Sequence, residues 1–354
     1  MSASTNPTSW PNSGLDAVPC CPVCDSGNRR LMYKGLTDIL LGVAPGEWNL
    51  YQCLSCATAW IDPRPSPATI VMAYRDYITH ENQSSTVNSN SGFMRRFVRG
   101  LLNDYRACHY NDNRTPTILG GRWVVLLFHS MKTSIDANYR HLTPQTDAVG
   151  RLLDYGCANG EFLTIAKSMG WSAEGVDFDP VAVSLARARG LDVALIEAGE
   201  MLEGTGLYDV ITLSHVLEHV HDPVHLISDL FRLLKPGGVL WLETPNISSF
   251  GHRAFGRFWR GLEPPRHLTL FSSNTLKRVL LRAGFDDVEA LWHGLSAFVM
   301  FPESDALKRG GRRPKTLLGG VSLFLKRLFF EFIDWVSPSS REFITLVARK
   351  PGDQ

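Results

Sequence analysis

Residues 151–160 read RLLDYGCANG, and EFLTIAKSMGW follows them. An apolar run gives way to small residues, and Phe162, Leu163 and Ala166 then recur at helical spacing. Small residues let the backbone leave a strand in unusual dihedrals and lie close to a ligand. The pattern therefore predicts a strand, a tight turn and a helix whose first N–H groups face a binding crevice.

A second strand is predicted at residues 173–176, directly before Asp177. This spacing is about that at which a nucleotide-binding βαβ unit places the carboxylate for the ribose hydroxyls. A dinucleotide fingerprint would have Gly or Ala at position 161, where this chain has Glu161. The residues therefore indicate an adenosine site and disfavour a dehydrogenase.

The pattern Asp154-x-Gly156-x-Ala158-x-Gly160 resembles motif I of class I S-adenosylmethionine-dependent methyltransferases, with Ala158 in place of the usual middle glycine. The segments YDVI, SHVLEHV and LLKPGGVLWLETPN look like later landmarks of this family, in its order and spacing. The resemblance covers about residues 148–350. It implies an α/β fold with a doubly wound, mostly parallel seven-stranded sheet of the Rossmann-like type.

The resemblance also implies S-adenosylmethionine as the cofactor. The turn would hold the methionine end, Asp177 would bind the ribose hydroxyls, and Phe178 would pack on the adenine. The predicted cofactor-binding residues are Asp154, Gly156, Ala158, Gly160, Asp177, Phe178, Glu200 and Ser214.

Four of the seven cysteines form two C-x-x-C pairs, Cys21 with Cys24 and Cys53 with Cys56. Two such turns can bring four thiolates to one tetrahedral ion, and we expect structural Zn²⁺ because four thiolates leave no open position. Reduced, unligated thiols or a redox pair are the alternatives, and Cys20 could compete as a ligand. A strand is expected between the pairs, in GEWNLYQC.

The segment EPPRHL, at 263–268, is expected to face the substrate because Pro264 and Pro265 stiffen the approach to two polar side chains. His267 is the first candidate for a general base, since its unperturbed pKa is near neutral, and a hydrogen-bonded loop histidine is the alternative. His215 is the second candidate base. Arg266 suits an anionic group on the acceptor.

Other polar side chains give weaker signals. Tyr74 and Tyr77 could face the substrate or form a packing lid. We expect His219, His221 and His225 on the surface of a helix and its loop.

The EPPRHL segment and the cysteine pairs resemble those of bacterial methyltransferases from cell-surface glycan and lipid gene clusters. The layout is also similar to sugar C-methyltransferases, which have a Glu-His pair where this chain has Arg266 and His267. We therefore expect a sugar or glycan-linked acceptor, which a lipid could carry. A quinone or other small-molecule O-methyltransferase and a non-catalytic adenosyl-binding scaffold are the alternatives.

The predicted organisation is a polar tail at 1–17, a zinc-ribbon-like module at 18–62, a helical linker or cap at 63–147 and the methyltransferase domain at 148–350. An amphipathic helical insertion is expected at 305–338. Its apolar face comprises Leu317, Leu318, Val321, Phe324, Leu325, Leu328, Phe329, Phe332 and Trp335. Packing on the core is one interpretation; contact with a membrane surface through 308–336, or with another subunit, is the other.

Composition and hydropathy indicate which partners and which cellular location to expect. The 354 residues carry a formal charge of +1, so we expect no nucleic-acid-binding surface. No signal-peptide pattern opens the chain and no apolar run reaches the ~20 residues of a membrane-spanning helix. A cytoplasmic protein, with an inner-membrane contact as the alternative, is the expectation; the oligomeric state stays open.

Overall fold

The computed structural model describes residues 9–74, 92–145, 148–197, 200, 202–310 and 317–352, and side chains at 317–321 and 323 are excluded. Among these residues, no helix combines the length and the apolar character that crossing a bilayer requires. Tyr77, one of the predicted substrate-facing residues, lies outside the described residues.

The N-terminal part of the chain forms a small antiparallel sheet. Its strands are β2 (Arg29–Leu36), β3 (Trp48–Cys53) and β4 (Ala59–Ile61), while the short β1 (Leu15–Asp16) pairs with β5 (Arg64–Pro65). The strand expected in GEWNLYQC is therefore confirmed as β3. A short 3₁₀ helix, Ile70–Tyr74, leads from this sheet towards the larger domain.

Three helices follow: α1 (Phe93–Tyr110), α2 (Gly121–Leu127) and α3 (His129–Asn138). The hydroxyls of Tyr105 and Tyr110 both donate to Asp136 Oδ1, at 2.9 and 2.6 Å. These buried bonds fix α1 against α3, and the helices pack beside the first strand of the main sheet.

Strands and helices then alternate along the chain. The elements are β6 (Arg151–Tyr155), α4 (Glu161–Ser168), β7 (Ser172–Asp177), α5 (Pro180–Ala188), β8 (Val193–Leu195), β9 (Tyr208–Ser214), α6 (Pro223–Leu233), β10 (Leu234–Pro245), α7 (Phe250–Phe255), β11 (Thr269–Leu270), α8 (Ser273–Arg282), β12 (Asp286–Leu291), α9 (Ser296–Lys308), α10 (Leu317–Val336) and β13 (Phe343–Arg349).

Seven of these strands form one sheet in the order β12-β13-β10-β9-β6-β7-β8. All neighbouring strands from β10 to β8 are parallel, whereas β13 runs antiparallel to both β10 and β12. The predicted doubly wound, mostly parallel seven-stranded sheet is therefore confirmed. The chain order reverses between β6 and β9, and ligands of such sheets bind at that point, beyond the carboxyl ends of the strands.

The N-terminal sheet continues into the larger domain. Strand β11 pairs antiparallel with β4, with Thr269 opposite Trp60 and Leu270 opposite Ala59. The EPPRHL segment directly precedes β11. The cysteine-bearing sheet and the segment predicted to face the substrate are thus parts of one hydrogen-bonded structure.

Helix α6 ends at Leu233 and β10 begins directly after it at Leu234, with a register shift against β9 before Val239. Of the α10 side chains that the structure describes, Phe330, Glu331 and Asp334 are buried. The described members of the predicted apolar face are about half exposed: Phe324, Leu325, Leu328, Phe329, Phe332 and Trp335. Phe324 and Phe329 also contact the rings of Phe298 and Phe250. Core packing of the described part of that face is therefore partial, and its contact with a lipid surface or another subunit stays a prediction.

Candidate active site

The turn after β6 has the close packing that its small residues predicted. Gly156 has φ +77°, and a Cβ there would lie 2.4 Å from a methyl group of Val216. The N–H of Gly156 donates to Val176 O at 2.8 Å, which holds the turn against β7. Ala158, with φ +48°, also occupies the left-handed region that glycine would adopt at lower cost.

Asp177 connects the end of β7 to this turn. Its carboxylate accepts the N–H of Ala158 at 2.7 Å and that of Asp179 at 2.9 Å. Burial raises the pKa of Asp177, although these two donors act in the opposite direction. The carboxylate is thereby held at the sheet edge, where further donors such as ribose hydroxyls would favour its charged form.

A cavity of about 250 Å³ opens at the carboxyl ends of β6, β7 and β9. Seven of the predicted site residues line it: Tyr74, Gly156, Ala158, Asp177, Phe178, Ser214 and His215. The ring of Tyr74 packs edge-to-face on Phe178, with centroids 5.1 Å apart. The structure thus brings both ends of the predicted site, adenosyl and acceptor, to one cavity.

Three predicted cofactor residues lie outside the wall of this cavity. Gly160 begins helix α4, where a Cβ would lie 2.3 Å from Leu191 Cδ1, so its role is in packing. Glu200 accepts the N–H of Glu197 at 2.7 Å, and Glu197 rather than Glu200 lines the cavity. Asp154 is fully buried beneath the turn.

The partners of Asp154 explain its position. Asp154 Oδ1 accepts hydrogen bonds from the guanidinium of Arg140 and, at 2.9 Å, from the hydroxyl of Thr212. Arg140 also lies over the ring of Phe162, 3.7 Å from its centroid. Asp154 Oδ1 therefore ties the segment before β6 to the sheet, whereas Oδ2 has no hydrogen-bond partner among the described residues, and a contact of Asp154 with the methionine end of the cofactor stays a prediction.

Arg266 requires a correction. Its side chain is fully buried, and it donates to Asp38 at 2.5 and 3.0 Å, to Glu263 at 2.9 Å and to the carbonyl of Ala73 at 3.0 Å. A guanidinium with these partners is not offered to an anionic acceptor. It instead joins the EPPRHL segment to the N-terminal sheet.

His215 lines the cavity between two carboxylates. Nδ1 lies 3.4 Å from Glu218 Oε1, and Nε2 lies 3.4 Å from Glu243 Oε1. Burial opposes a charge on this imidazole, but the two carboxylates outweigh it and raise the pKa of His215 to about 10. The two carboxylates favour the charged imidazole, which suits a positive charge beside the acceptor better than a proton acceptor, and the role of His215 as a base stays a prediction.

His267 lies one layer behind the cavity. Its Nδ1 donates to the carbonyl of Gly261 at 2.7 Å, and its ring is 4.7 Å from that of His219, centroid to centroid. Burial and the neighbouring His219 lower the pKa of His267 to about 4, so the imidazole is neutral. Its role as a base stays a prediction, with His219 between it and the cavity.

Two histidines expected on the surface line the cavity instead. His219 Nδ1 lies 2.8 Å from the hydroxyl of Tyr74 and 3.0 Å from the carbonyl of Arg266. His221 donates to the carbonyl of Pro65 at 2.9 Å. The signal available in the sequence was the run His215-x-x-Glu218-His219, placed directly after a strand end.

The four predicted cysteine ligands come together. The sulfurs of Cys21 and Cys56 are 3.6 Å apart, those of Cys24 and Cys53 are 3.5 Å apart, and all four lie within 4.8 Å of one another. Sulfurs at the corners of a tetrahedron with Zn–S bonds of about 2.3 Å would be ~3.8 Å apart. The cluster therefore fits a tetrahedral ion, whereas Cys20 is exposed and outside it.

Residues 127–290 match a family model described as a methyltransferase domain. A "Ubiquinone biosynthesis O-methyltransferase" of Xanthomonas oryzae pv. oryzae is 36% identical over 114 residues, which are 30% of this chain and 48% of the relative. The enzyme of the same name from Pseudomonas aeruginosa is 36% identical over 103 residues, 27% of this chain and 44% of the relative.

A solved structure, Haemonchus contortus phosphoethanolamine N-methyltransferase 2, has a TM-score of 0.45 at 13% identity and covers 91% of this chain and 68% of its own. The chain spans about half the length of the curated relatives it matches. Residues 127–290 are therefore similar to methyltransferase domains, and they belong to a chain built on a Rossmann-like seven-stranded sheet.

Proposed function

We propose that the protein is an S-adenosylmethionine-dependent methyltransferase that methylates a hydroxyl of a sugar or glycan-linked acceptor. The observation that carries this proposal is the position of Asp177 and the Gly156 turn on one cavity, within the segment that matches methyltransferase domains. Backbone N–H groups, a buried carboxylate and an aromatic ring at the sheet edge are the groups that an adenosyl cofactor needs.

The cofactor, when bound, supplies a methyl group on a positively charged sulfur. Asp177 would bind the ribose hydroxyls, Phe178 would contact the adenine, and the backbone of the Gly156–Ala158 turn would hold the methionine end. Because the leaving group is already activated, the protein gains most by aligning the acceptor with the methyl group and excluding water.

The acceptor would enter beside His215, His219 and Tyr74, which line the same cavity. We assign proton removal to the pair His219–His267, because His219 faces the cavity and contacts the neutral His267. The protonated His215 would stabilise negative charge on the acceptor oxygen. His267 thus keeps its predicted role, with His219 as the group nearer the substrate.

Structural Zn²⁺ at Cys21, Cys24, Cys53 and Cys56 is part of this proposal. The cluster packs against the buried Trp60, and Trp60 is opposite Thr269 of β11 in the shared sheet. The ion would therefore stabilise the loop that carries His267, without contacting the substrate.

A quinone or other small-molecule phenol is the second candidate acceptor. It is favoured by the relatives named ubiquinone biosynthesis O-methyltransferases, which match about half of their own length. A third possibility is a non-catalytic adenosyl-binding scaffold.

The test is S-adenosylhomocysteine formation by zinc-replete protein with nucleotide sugars, lipid-linked glycans and catechol-type quinone precursors. Turnover with a glycan supports the proposal, and turnover with a catechol alone supports the second candidate. Cofactor binding without turnover on any acceptor class would favour the scaffold.

A further inference from the structure

Three potential ligands converge behind the acceptor end of the cavity. Glu218 and His219 lie on the 3₁₀ helix Leu217–His219, and His267 comes from the loop before β11. One ligand atom from each of the three lies within 4.8 Å of the other two. These residues are separate from the four cysteines.

Both imidazoles are oriented as metal ligands are. His267 Nδ1 donates to Gly261 O at 2.7 Å, and His219 Nδ1 contacts Arg266 O at 3.0 Å. A carbonyl oxygen can only accept, so each contact places the proton on Nδ1 and leaves the lone pair on Nε2. A histidine that binds a metal usually donates its other N–H to a carbonyl or carboxylate in this way.

The carboxylate supplies an independent observation. Glu218 is fully buried, and its Oε2 accepts the hydroxyl of Thr244 at 2.8 Å, whereas Oε1 has no hydrogen-bond partner among the residues that the structure describes. Two imidazole nitrogens lie near Oε1 without a hydrogen bond to it, His215 Nδ1 at 3.4 Å and His267 Nε2 at 4.0 Å. A buried carboxylate oxygen without a hydrogen bond keeps a lone pair that a metal ion could take.

We propose that Glu218, His219 and His267 form a second metal site, for a divalent first-row transition ion with open coordination positions towards the cavity. Two imidazoles and one carboxylate bind such ions and leave room for exogenous ligands. His219 lines the cavity wall, so an oxygen of the acceptor could complete the coordination.

This deeper role rests on the proposed function: a bound ion would polarise the acceptor hydroxyl and lower its pKa, and the proton would leave to solvent water in the open cavity instead of passing to the histidine pair. Glu263, 3.8 Å from His267 Nε2, is engaged by Arg260 and Arg266 and is not assigned as a ligand.

Metal binding can be tested apart from methyl transfer. We would titrate Co²⁺ into the metal-free full chain, because thiolate-bound Co²⁺ absorbs strongly in the near ultraviolet and Co²⁺ bound by nitrogen and oxygen does not. We expect two ions per chain, of which one gives no thiolate band. Glu218→Gln should lose that ion and keep the thiolate band, while the exposed control His225→Gln should keep both.

Binding of a single, thiolate-bound ion by the wild-type chain would overturn the proposal, whether or not any variant folds. Retention of both ions by Glu218→Gln and by His267→Gln would overturn the assignment of these ligands. S-adenosylmethionine binding, measured on the same samples, separates failure of this site from failure of the proposed function.

Discussion

The guanidinium of Arg266 lies 2.5 Å from Asp38 Oδ1, and both side chains are at most 1% exposed. Asp38 belongs to the loop between β2 and β3, and Arg266 directly precedes His267. The same Asp38 carboxylate accepts the N–H groups of Val43 and Ala44. The position of the candidate acceptor loop is thus set by a buried ion pair with the N-terminal sheet.

Removing one partner of this pair should be strongly destabilising. Asp38→Ala leaves the Arg266 cation buried without its bidentate partner, and we expect a loss of about 3–5 kcal/mol in the free energy of unfolding. Urea denaturation measures the loss. The exposed Asp192→Ala is the matched control, and an Asp38→Ala loss no larger than that of the control would contradict the structural role.

Asp334 should make stability depend on pH. Burial and the neighbouring Glu342 raise the pKa of Asp334 to about 8, whereas an Asp in an unfolded chain has a pKa of about 3.9. At a pH between these two pKa values, Asp334 is protonated in the native chain and ionised in the unfolded chain. Stability from this group therefore falls as pH rises through that window, by up to about 1.4 kcal/mol per pH unit.

The variant Asp334→Asn removes this titration and should flatten the dependence. Its amide oxygen can still accept the hydroxyl of Ser296, which donates to Asp334 at 3.0 Å. We would compare thermal unfolding of three proteins across this pH window: the wild type, Asp334→Asn and the exposed control Asp286→Asn. Equal slopes in all three proteins would show that Asp334 is not protonated in the native state.

Tyr74→Phe tests the acceptor side of the cavity. The variant loses the hydroxyl that lies 2.8 Å from His219 Nδ1 and keeps the ring that packs on Phe178. Because a hydrogen bond contributes ~1 kcal/mol, we expect kcat/KM for the acceptor to fall about fivefold, with cofactor affinity unchanged. Tyr51→Phe, in the N-terminal sheet, is the control. If cofactor affinity changed and kcat/KM for the acceptor did not, Tyr74 would belong to the cofactor side of the cavity, which would contradict this assignment.

Zinc removal should act on the acceptor loop through the shared sheet. Chelation of the cysteine-bound ion would loosen β3 and β4 around Trp60, which is fully buried beside the cluster. We expect a red shift of tryptophan fluorescence together with loss of turnover, while cofactor binding is retained. Simultaneous loss of cofactor binding would indicate that the cluster stabilises the whole chain instead.

Local patterns were sufficient to place the turn and the carboxylate that we predict to bind the cofactor on one cavity. The strand, turn and helix from β6 to α4, and Asp177 after β7, depend on neighbours within about two dozen residues, and so their positions follow from spacing. The cysteine cluster was predictable for a different reason, because two C-x-x-C turns in one small module can bring four sulfurs together around one ion.

Contacts between residues far apart in the chain could not be predicted from the sequence. No local sequence pattern indicates that Arg266 pairs with Asp38, 228 positions away. Nor does any local pattern indicate that the Arg140 guanidinium donates a hydrogen bond to Asp154 Oδ1. Helix periodicity located an apolar face on α10, but periodicity alone does not say which face meets the core. Glu331 and Asp334 are buried there because Leu295 N and Ser296 Oγ supply their hydrogen bonds.

The most direct test of the central claim is calorimetric titration of the zinc-replete protein with S-adenosylmethionine, beside Asp177→Ala and with NAD as the control ligand. We predict one binding site for the methyl donor, at least tenfold weaker binding by Asp177→Ala, and no binding of NAD. Absence of methyl-donor binding, or equal affinity in the variant, would contradict the assignment of this cavity.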